Sequence, residues 1–230
     1  MAQGVAPAGP GPCRMVVMAS GAGTNLQALL DAEAAGRLGG QIVAVLSDRP
    51  GAGALDRARA AGKPAVLLRP AGDWDRAVLD ELARWQPDLV LLAGFMRLLG
   101  PAVVAAYRNR ILNIHPSLLP AFPGKDAPRR ALEHGVKVTG CTVHFVDEGV
   151  DTGPILLQAA VPVRDGDDPQ TLHRRIQRVE HRLYPVAVRL VATGRVRLEG
   201  RRVRIVEGPS GWRGAGPWPG APAREGGVAG

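Results

Sequence analysis

Short, wholly apolar runs alternating with helically spaced segments constrain this chain more than any other feature. The runs are Met15–Ala19, Ile42–Leu46, Pro64–Leu68, Leu89–Ala93 and Ile111–His115. Leu26, Leu29 and Leu30 follow the first at helical spacing, Ala54–Ala61 follows the second, and Asp73–Trp85 carries Trp74, Ala77, Val78 and Leu82 on one face. Apolar runs of about five residues without polar alternation read as strands buried on both faces. Alternation with helices then predicts an α/β fold, a doubly wound and mostly parallel sheet. After Ile111–His115 the rhythm changes. Val138–Val146 and Pro154–Val163 are separated by a short loop and read as partly antiparallel strands that close the sheet. Asp168-Pro169 opens a long C-terminal helix, with Asp168 as N-cap, and Pro185 is expected to kink it or end its first half. Val196–Leu198 and Arg202–Val206 suggest a hairpin around Gly200. Residues 1–13 and 208–230 are rich in Gly, Pro and Ala and lack apolar periodicity, so both are predicted to be disordered tails around one domain spanning 14–207.

Composition removes several classes. With 46% apolar and 22% charged residues, the chain is not a disordered polymer. No run approaches the roughly 18–20 apolar residues of a membrane span, and Met1–Pro12 has neither the basic start nor the apolar core of a signal peptide. Two cysteines, Cys13 and Cys141, make no disulfide framework, which predicts a cytoplasmic setting. The net charge of +8 invites a nucleic-acid reading. Yet ten arginines against two glutamates between Arg174 and Arg204 account for the whole surplus. Arg174, Arg178 and Arg182 recur every four residues with Leu172, Ile176, Val179 and Leu183 between them. That pattern is the solvated stripe of an amphipathic helix, with some pull on anionic small molecules. Aromatic interleaving and zinc-finger spacing are absent. Small-molecule partners are expected, with no nucleic acid, no membrane and no metal; the chain is expected to be a monomer or homodimer.

Three places carry chemistry. Ser20-Gly-Ala-Gly-Thr-Asn25 lies between a strand and a helix, where backbone N–H groups can close around an anion at the positive end of the helix dipole. It is neither a nucleotide P-loop nor a full dinucleotide fingerprint, and it also suits a tight capped turn. Asn113 and His115 are two apart on a strand and face one side, at the carboxyl end where open α/β sheets bind ligands. An amide donor beside an imidazole suits carbonyl chemistry, although a histidine can also simply cap a loop. Asp151, in Gly149-Val-Asp-Thr-Gly153, can reach toward His115 and would then raise its pKa, or it can serve only as a turn residue. His144 reads as a packed neighbour rather than a catalyst.

Taken together, Ser20-Gly-Ala-Gly-Thr-Asn-Leu-Gln27, Leu92-Ala-Gly-Phe-Met-Arg97, Leu112-Asn-Ile-His-Pro-Ser-Leu-Leu-Pro120, Thr139-Gly-Cys-Thr-Val-His-Phe-Val146 and Asp151-Thr-Gly-Pro154 resemble the phosphoribosylglycinamide formyltransferases in order and spacing. The resemblance runs from about Met15 to Val206 and implies a Rossmann-like formyltransferase fold. It implies formyl transfer from the cosubstrate 10-formyltetrahydrofolate to the amine of phosphoribosylglycinamide in purine biosynthesis, without a metal. By position it assigns Gly23, Thr24 and Asn25 to the phosphate of the acceptor and Gln177 and Glu180 to its ribose side. Met96, Arg97, Leu98 and Leu99 would face the folate on one side, and Asp147, Glu148, Gly149, Val150 and Asp151 on the other. Asn113, His115 and Asp151 would be the catalytic trio, with Asp151 keeping His115 cationic; Asn113 also borders the folate. The loop Phe122–Pro128 lacks the histidines some members carry, and Arg69–Gly72 departs from the family pattern. The alternatives are a formyltetrahydrofolate hydrolase or another folate-dependent formyltransferase, and a sugar-phosphate binding module without catalysis. The resemblance implies an extra N-terminal domain for the hydrolase and an RNA-binding C-terminal domain for a tRNA formyltransferase.

Overall fold

A computed structural model describes residues 3–5, 11–69 and 72–206. Residues 207–230 lie outside the described residues, and with them the whole of the C-terminal tail predicted over 208–230. The N-terminus departs from expectation. Gln3–Val5 forms a strand, β1, where a disordered tail is predicted, and pairs antiparallel with Val196–Leu198. Strand pairing is made by backbone groups, so a segment without apolar periodicity gives no sign of it.

The next elements alternate as the apolar rhythm predicts: β2 (Cys13–Met18), α1 (Thr24–Ala34), β3 (Gly40–Ser47), α2 (Gly53–Ala60), β4 (Ala65–Leu67), α3 (Trp74–Trp85) and β5 (Leu89–Leu92). Then come α4 (Pro101–Ala106), β6 (Ile111–His115), α5 (Ala127–Glu133), β7 (Val138–Phe145), β8 (Ile155–Pro162) and α6 (Pro169–Ala192). The hairpin strands β9 (Val196–Glu199) and β10 (Arg202–Ile205) complete a three-stranded sheet with β1. The main sheet has seven strands in the order β4-β3-β2-β5-β6-β7-β8. Pairing is parallel from β4 to β6 and antiparallel for β7 and β8.

Burial on both faces explains the unbroken apolar runs. In β2, Met15 and Val17 enter one core with α1, α2, α5 and α6, while Val16 and Met18 enter the other with α3 and α4. Sequence periodicity does not reveal α4 and α5. They have six and seven residues, too few for a face to repeat, and each starts with a proline in its first turn. Of the two outcomes expected at Pro185, an end to the helix does not occur, because α6 runs through it to Ala192. Leu183, Tyr184, Ala187 and Val188 flank it and are buried, and the Tyr184 hydroxyl lies 3.0 and 3.1 Å from the Leu92 and Leu112 carbonyls. Packing on both sides of the proline offsets the one helical hydrogen bond it removes. The start of α6 is as expected: Asp168 accepts from Thr171 N at 2.7 Å and Thr171 Oγ1 accepts from Asp168 N at 2.8 Å. No helix among the described residues is long and apolar enough to cross a membrane.

The strand order fixes where a ligand can sit. From β2 the chain passes to β3 on one side, and from β5 it passes to β6 on the other. The crevice at the carboxyl ends of β2 and β5 is therefore the switch point at which open α/β sheets bind ligands.

Candidate active site

The pairing of β6 with β7 sets Asn113 directly opposite His144 and His115 opposite Thr142. Asn113 Nδ2 lies 3.1 Å from His144 Nε2 and 3.4 Å from Asp151 Oδ1. His115 Nδ1 lies 3.2 Å from Asp151 Oδ2, and His144 Nε2 is 3.5 Å from Asp151 Oδ1. The structure thus brings Asn113, His115 and Asp151 together, with His144 as a fourth member. Asp151 sits at φ 55°, a left-handed conformation that Asp tolerates better than most residues. The carboxylate is ionised well below the usual range, at about 2. Burial acts to raise it but is outweighed by the His144 hydrogen bond, the Gly124 N–H and the charges of His115 and His144. His144 was legible as a packed residue; its place in the cluster follows only from the strand register.

The segment after β6 folds over the cluster. The Phe122 carbonyl is 2.9 Å from His115 Nε2, and Gly124 N donates to Asp151 Oδ2 at 2.7 Å. Both are backbone contacts, so no residue type announces them. They also bear on the charge of His115. Asp151 does pull the pKa upward as expected, but the net direction is downward. Burial is the largest effect and holds the ring below its ordinary 6.5; Asp151 and the Phe122 carbonyl pull upward, while His144 and Arg130 add to the lowering. A pKa held below 6.5 favours the uncharged ring at neutral pH, against the two acceptors that face its nitrogens.

The glycine turn joins two of the predicted binding segments. Ser20 N donates to Gly94 O at 3.1 Å, Met96 N donates to Ser20 Oγ at 2.8 Å, and Ser20 Oγ donates to Asp48 at 2.6 Å. Gly23 is the N-cap of α1, and no side chain caps the first turn. Those N–H groups are available to an anion. Gly23 is also demanded by the fold. Its φ is 73°, and a Cβ there would lie 2.7 Å from Ala54 Cα in α2. Gly23→Ala should therefore lower stability by at least about 1–2 kcal/mol and shift the turn, weakening a phosphorylated ligand. Unchanged melting and unchanged ligand affinity in that variant would refute both roles.

Asn25 and Glu180 meet although they lie on different helices. Asn25 Nδ2 donates to Glu180 Oε2 at 2.8 Å, Glu180 is only 3% exposed, and Asn25 Oδ1 is buried without a partner among the described residues. Burial raises the Glu180 carboxyl to about 7 against the opposing Asn25 hydrogen bond. As pH rises from 4.5 toward 7 the unfolded chain loses this proton first, so stability falls across that window. The loss is on the order of 3 kcal/mol, and Glu180→Gln should remove it. Denaturant unfolding of both proteins at each end of the window checks this; equal slopes would contradict it. Gln177 stands on α6 one turn before Glu180, half-buried.

The segments implied to face folate divide by exposure. Met96, Leu98 and Val150 are 53%, 70% and 48% exposed, unusually open for apolar side chains beside a crevice. Leu99 packs on the α3–α4 core, and Arg97 stacks over Trp74 at 3.9 Å. Asp147 accepts from Gly149 N at 3.2 Å and Thr152 Oγ1 at 2.6 Å, shaping the turn, while Glu148 pairs with Arg108 at 3.0 Å. Both cysteines are free and buried, and burial is the main effect pushing each thiol up to about 12, which leaves them unreactive. Among the described residues, no cluster of three His, Cys, Asp or Glu side chains could hold a metal ion.

Comparison with known proteins gives the family. Residues 13–188 match the formyl transferase family. The chain is 49% identical over 205 residues to a phosphoribosylglycinamide formyltransferase of Mycobacterium tuberculosis (strain CDC 1551 / Oshkosh), covering 84% of this chain and 94% of that relative. It resembles the solved glycinamide ribonucleotide transformylase 1 from Symbiobacterium toebii with a TM-score of 0.83 at 56% identity, over 85% of this chain and 95% of that one. A formyltetrahydrofolate deformylase from Pseudomonas syringae pv. tomato is more distant, with a TM-score of 0.80 at 28% identity over 86% of this chain and 67% of its own. The matched span holds the glycine turn, the β6–β7 cluster and all of α6 up to Val188, so the chain belongs to the formyl transferase family, among its phosphoribosylglycinamide formyltransferases.

Proposed function

We propose that this chain transfers the formyl group of 10-formyltetrahydrofolate to the amine of phosphoribosylglycinamide, a step of purine biosynthesis. One observation carries the reading: the Asn113–His115–Asp151 cluster and the uncapped start of α1 share one edge of the sheet. The first supplies carbonyl chemistry and the second a phosphate seat. The first-turn amides of Gly23, Thr24 and Asn25 hold the phosphate. Asn25 Oδ1, Gln177 and Glu180 take the ribose hydroxyls. The open apolar side chains of Met96, Leu98 and Val150 fit the flat ring of a folate, with Arg97, Leu99 and the turn of Asp147, Glu148 and Gly149 around them.

Bound there, the folate supplies an activated formyl carbon. Neutral His115 accepts the proton that the attacking amine loses, through the Nε2 position that the Phe122 carbonyl occupies at rest. Asp151 then holds the resulting imidazolium through Nδ1. As the tetrahedral intermediate collapses, the bond from the formyl carbon to the folate nitrogen breaks and His115 returns its proton to that nitrogen, releasing tetrahydrofolate and the formylated amine. The Asn113 amide donates to the formyl oxygen as negative charge develops on it. The partners are small molecules and the proposed setting is the cytoplasm.

The phosphate seat separates this reading from hydrolysis, in which water is the acceptor. Steady-state kinetics with phosphoribosylglycinamide and with its dephosphorylated riboside provide the test. Losing several charge-assisted hydrogen bonds should raise KM by roughly 100-fold or more. Equal KM values, or formate release that needs no acceptor, would overturn the proposal.

A further inference from the structure

A cleft of about 610 Å³ opens between α1 and α6, along the outer side of the helix pair. Five arginines line it, Arg37, Arg57, Arg182, Arg189 and Arg195, against one carboxylate, Asp31. The remaining lining is largely apolar and includes Ala28, Ala32, Pro185, Val186 and Leu190. Arg57 is held in place, its Nε donating to Ala22 O at 2.8 Å and its guanidinium to Gln27 Oε1 at 3.1 Å. Arg195 Nε donates to Val206 O at 3.1 Å, and Asp31 accepts from Gln27 Nε2 at 2.9 Å. Arg37 and Arg182 are exposed and have no ion-pair partner among the described residues. His181 also lines the cleft, and its buried Nε2 has no hydrogen-bond partner among them.

This concentration of one sign exceeds what a solvated helix stripe requires. The arginines come from α2, from α6 and from the segments that follow α1 and α6, and they line one concave, partly apolar surface. Like charges so placed repel unless an anion sits between them. Arg37, Arg57 and Arg182 alone outnumber Asp31, so a group with more than one negative charge matches the cleft better than a single phosphate monoanion or carboxylate. Guanidinium groups match phosphate oxygens in geometry, and the apolar lining suits a ring system. The volume falls in the usual range of small-molecule sites, about 300–1,000 Å³.

We infer that the α1–α6 cleft is a second ligand site of this protein and that it takes a nucleoside polyphosphate. Thr24 borders both this cleft and the glycine turn, and Arg57 donates to Ala22 O in that turn, whereas Arg37 and Arg195 follow the C-terminal ends of α1 and α6.

Isothermal titration of the full chain with ATP, with inorganic tripolyphosphate and with adenosine tests this. ATP should bind saturably with one-to-one stoichiometry, and tripolyphosphate and adenosine each at least about 10-fold more weakly, because each meets only half of the lining. The double variant Arg37→Glu/Arg182→Glu, changed at two exposed positions, should weaken ATP by roughly 100-fold or more. Val186→Glu, which puts a charge on the apolar side of the cleft, should weaken it too and serves if the double variant does not fold. Saturating phosphoribosylglycinamide should leave the ATP affinity unchanged. No saturation at millimolar ATP, equal affinity for tripolyphosphate, full affinity in the folded variants, or displacement by phosphoribosylglycinamide would each overturn the inference.

Discussion

His115→Ala should leave the chain folded and its phosphate seat intact while reducing turnover by about 10²–10⁴-fold. The side chain lies at the end of β6, paired to Asp151 at 3.2 Å, and its second nitrogen faces the Phe122 carbonyl at 2.9 Å. Removing it takes away the proton acceptor and leaves Asp151 with Gly124 N and Asn113, so the carboxylate keeps hydrogen-bond donors. The fold should tolerate the change, because Leu112 and Ile114, which anchor β6 in the core, are untouched. Single-turnover kinetics separate chemistry from binding. Turnover within a few-fold of wild type, in a folded variant that still binds phosphoribosylglycinamide, would remove His115 from the mechanism.

Asp151→Asn should cost roughly 100-fold or more in kcat/KM and should move the pH profile in a particular direction. Asp151 pulls the His115 pKa upward against the larger effect of burial. Without the carboxylate the pKa falls further, the ring becomes a weaker base, and its cation loses its partner. The acid limb of kcat/KM, where the base becomes protonated, should therefore shift to lower pH while the plateau drops. A reading in which the cation is the active species predicts a different outcome, with rate recovered as pH is lowered. NMR titration of His115 in both proteins distinguishes the two: the wild-type midpoint should lie below 6.5 and the variant's lower still. A wild-type midpoint above 6.5 would show that the pairing outweighs burial and contradict a neutral resting base, and a midpoint that Asp151→Asn does not move would show that the pairing does not set its charge.

The parts of this molecule that announce themselves in sequence are those fixed by side-chain periodicity and by motif order. Ile111–His115 is a strand as predicted, and the alternation along it puts Asn113 and His115 on one side. The buried strands and the Asp168 cap of α6 follow from the same kind of signal. What escaped depends on the backbone or on tertiary burial. β1 pairs through main-chain groups, and Phe122 and Gly124 reach the cluster with a carbonyl and an amide that any residue carries. α6 passes Pro185 because packing around Tyr184 and Val188 outweighs a local preference. The direction of the His115 pKa differs from the sequence expectation for a related reason. Its carboxylate neighbour is visible as Asp151 in the sequence, whereas the burial that overrides it exists only once β6, β7 and the segment above them are assembled. Likewise the contact of Asn25 with Glu180 joins residues whose proximity the motif order implies, but the raised pKa of that carboxyl is a property of the closed core.

The most direct measurement follows the carbon itself. The full chain is mixed with 10-formyltetrahydrofolate labelled with ¹³C in the formyl group and with phosphoribosylglycinamide, and the label is followed by NMR. The account predicts that the formyl signal disappears in step with the growth of an amide formyl signal on the acceptor, and that no transfer occurs when the acceptor is left out. Label appearing as free formate in the absence of acceptor, or remaining on the folate when both substrates and folded protein are present, would contradict it.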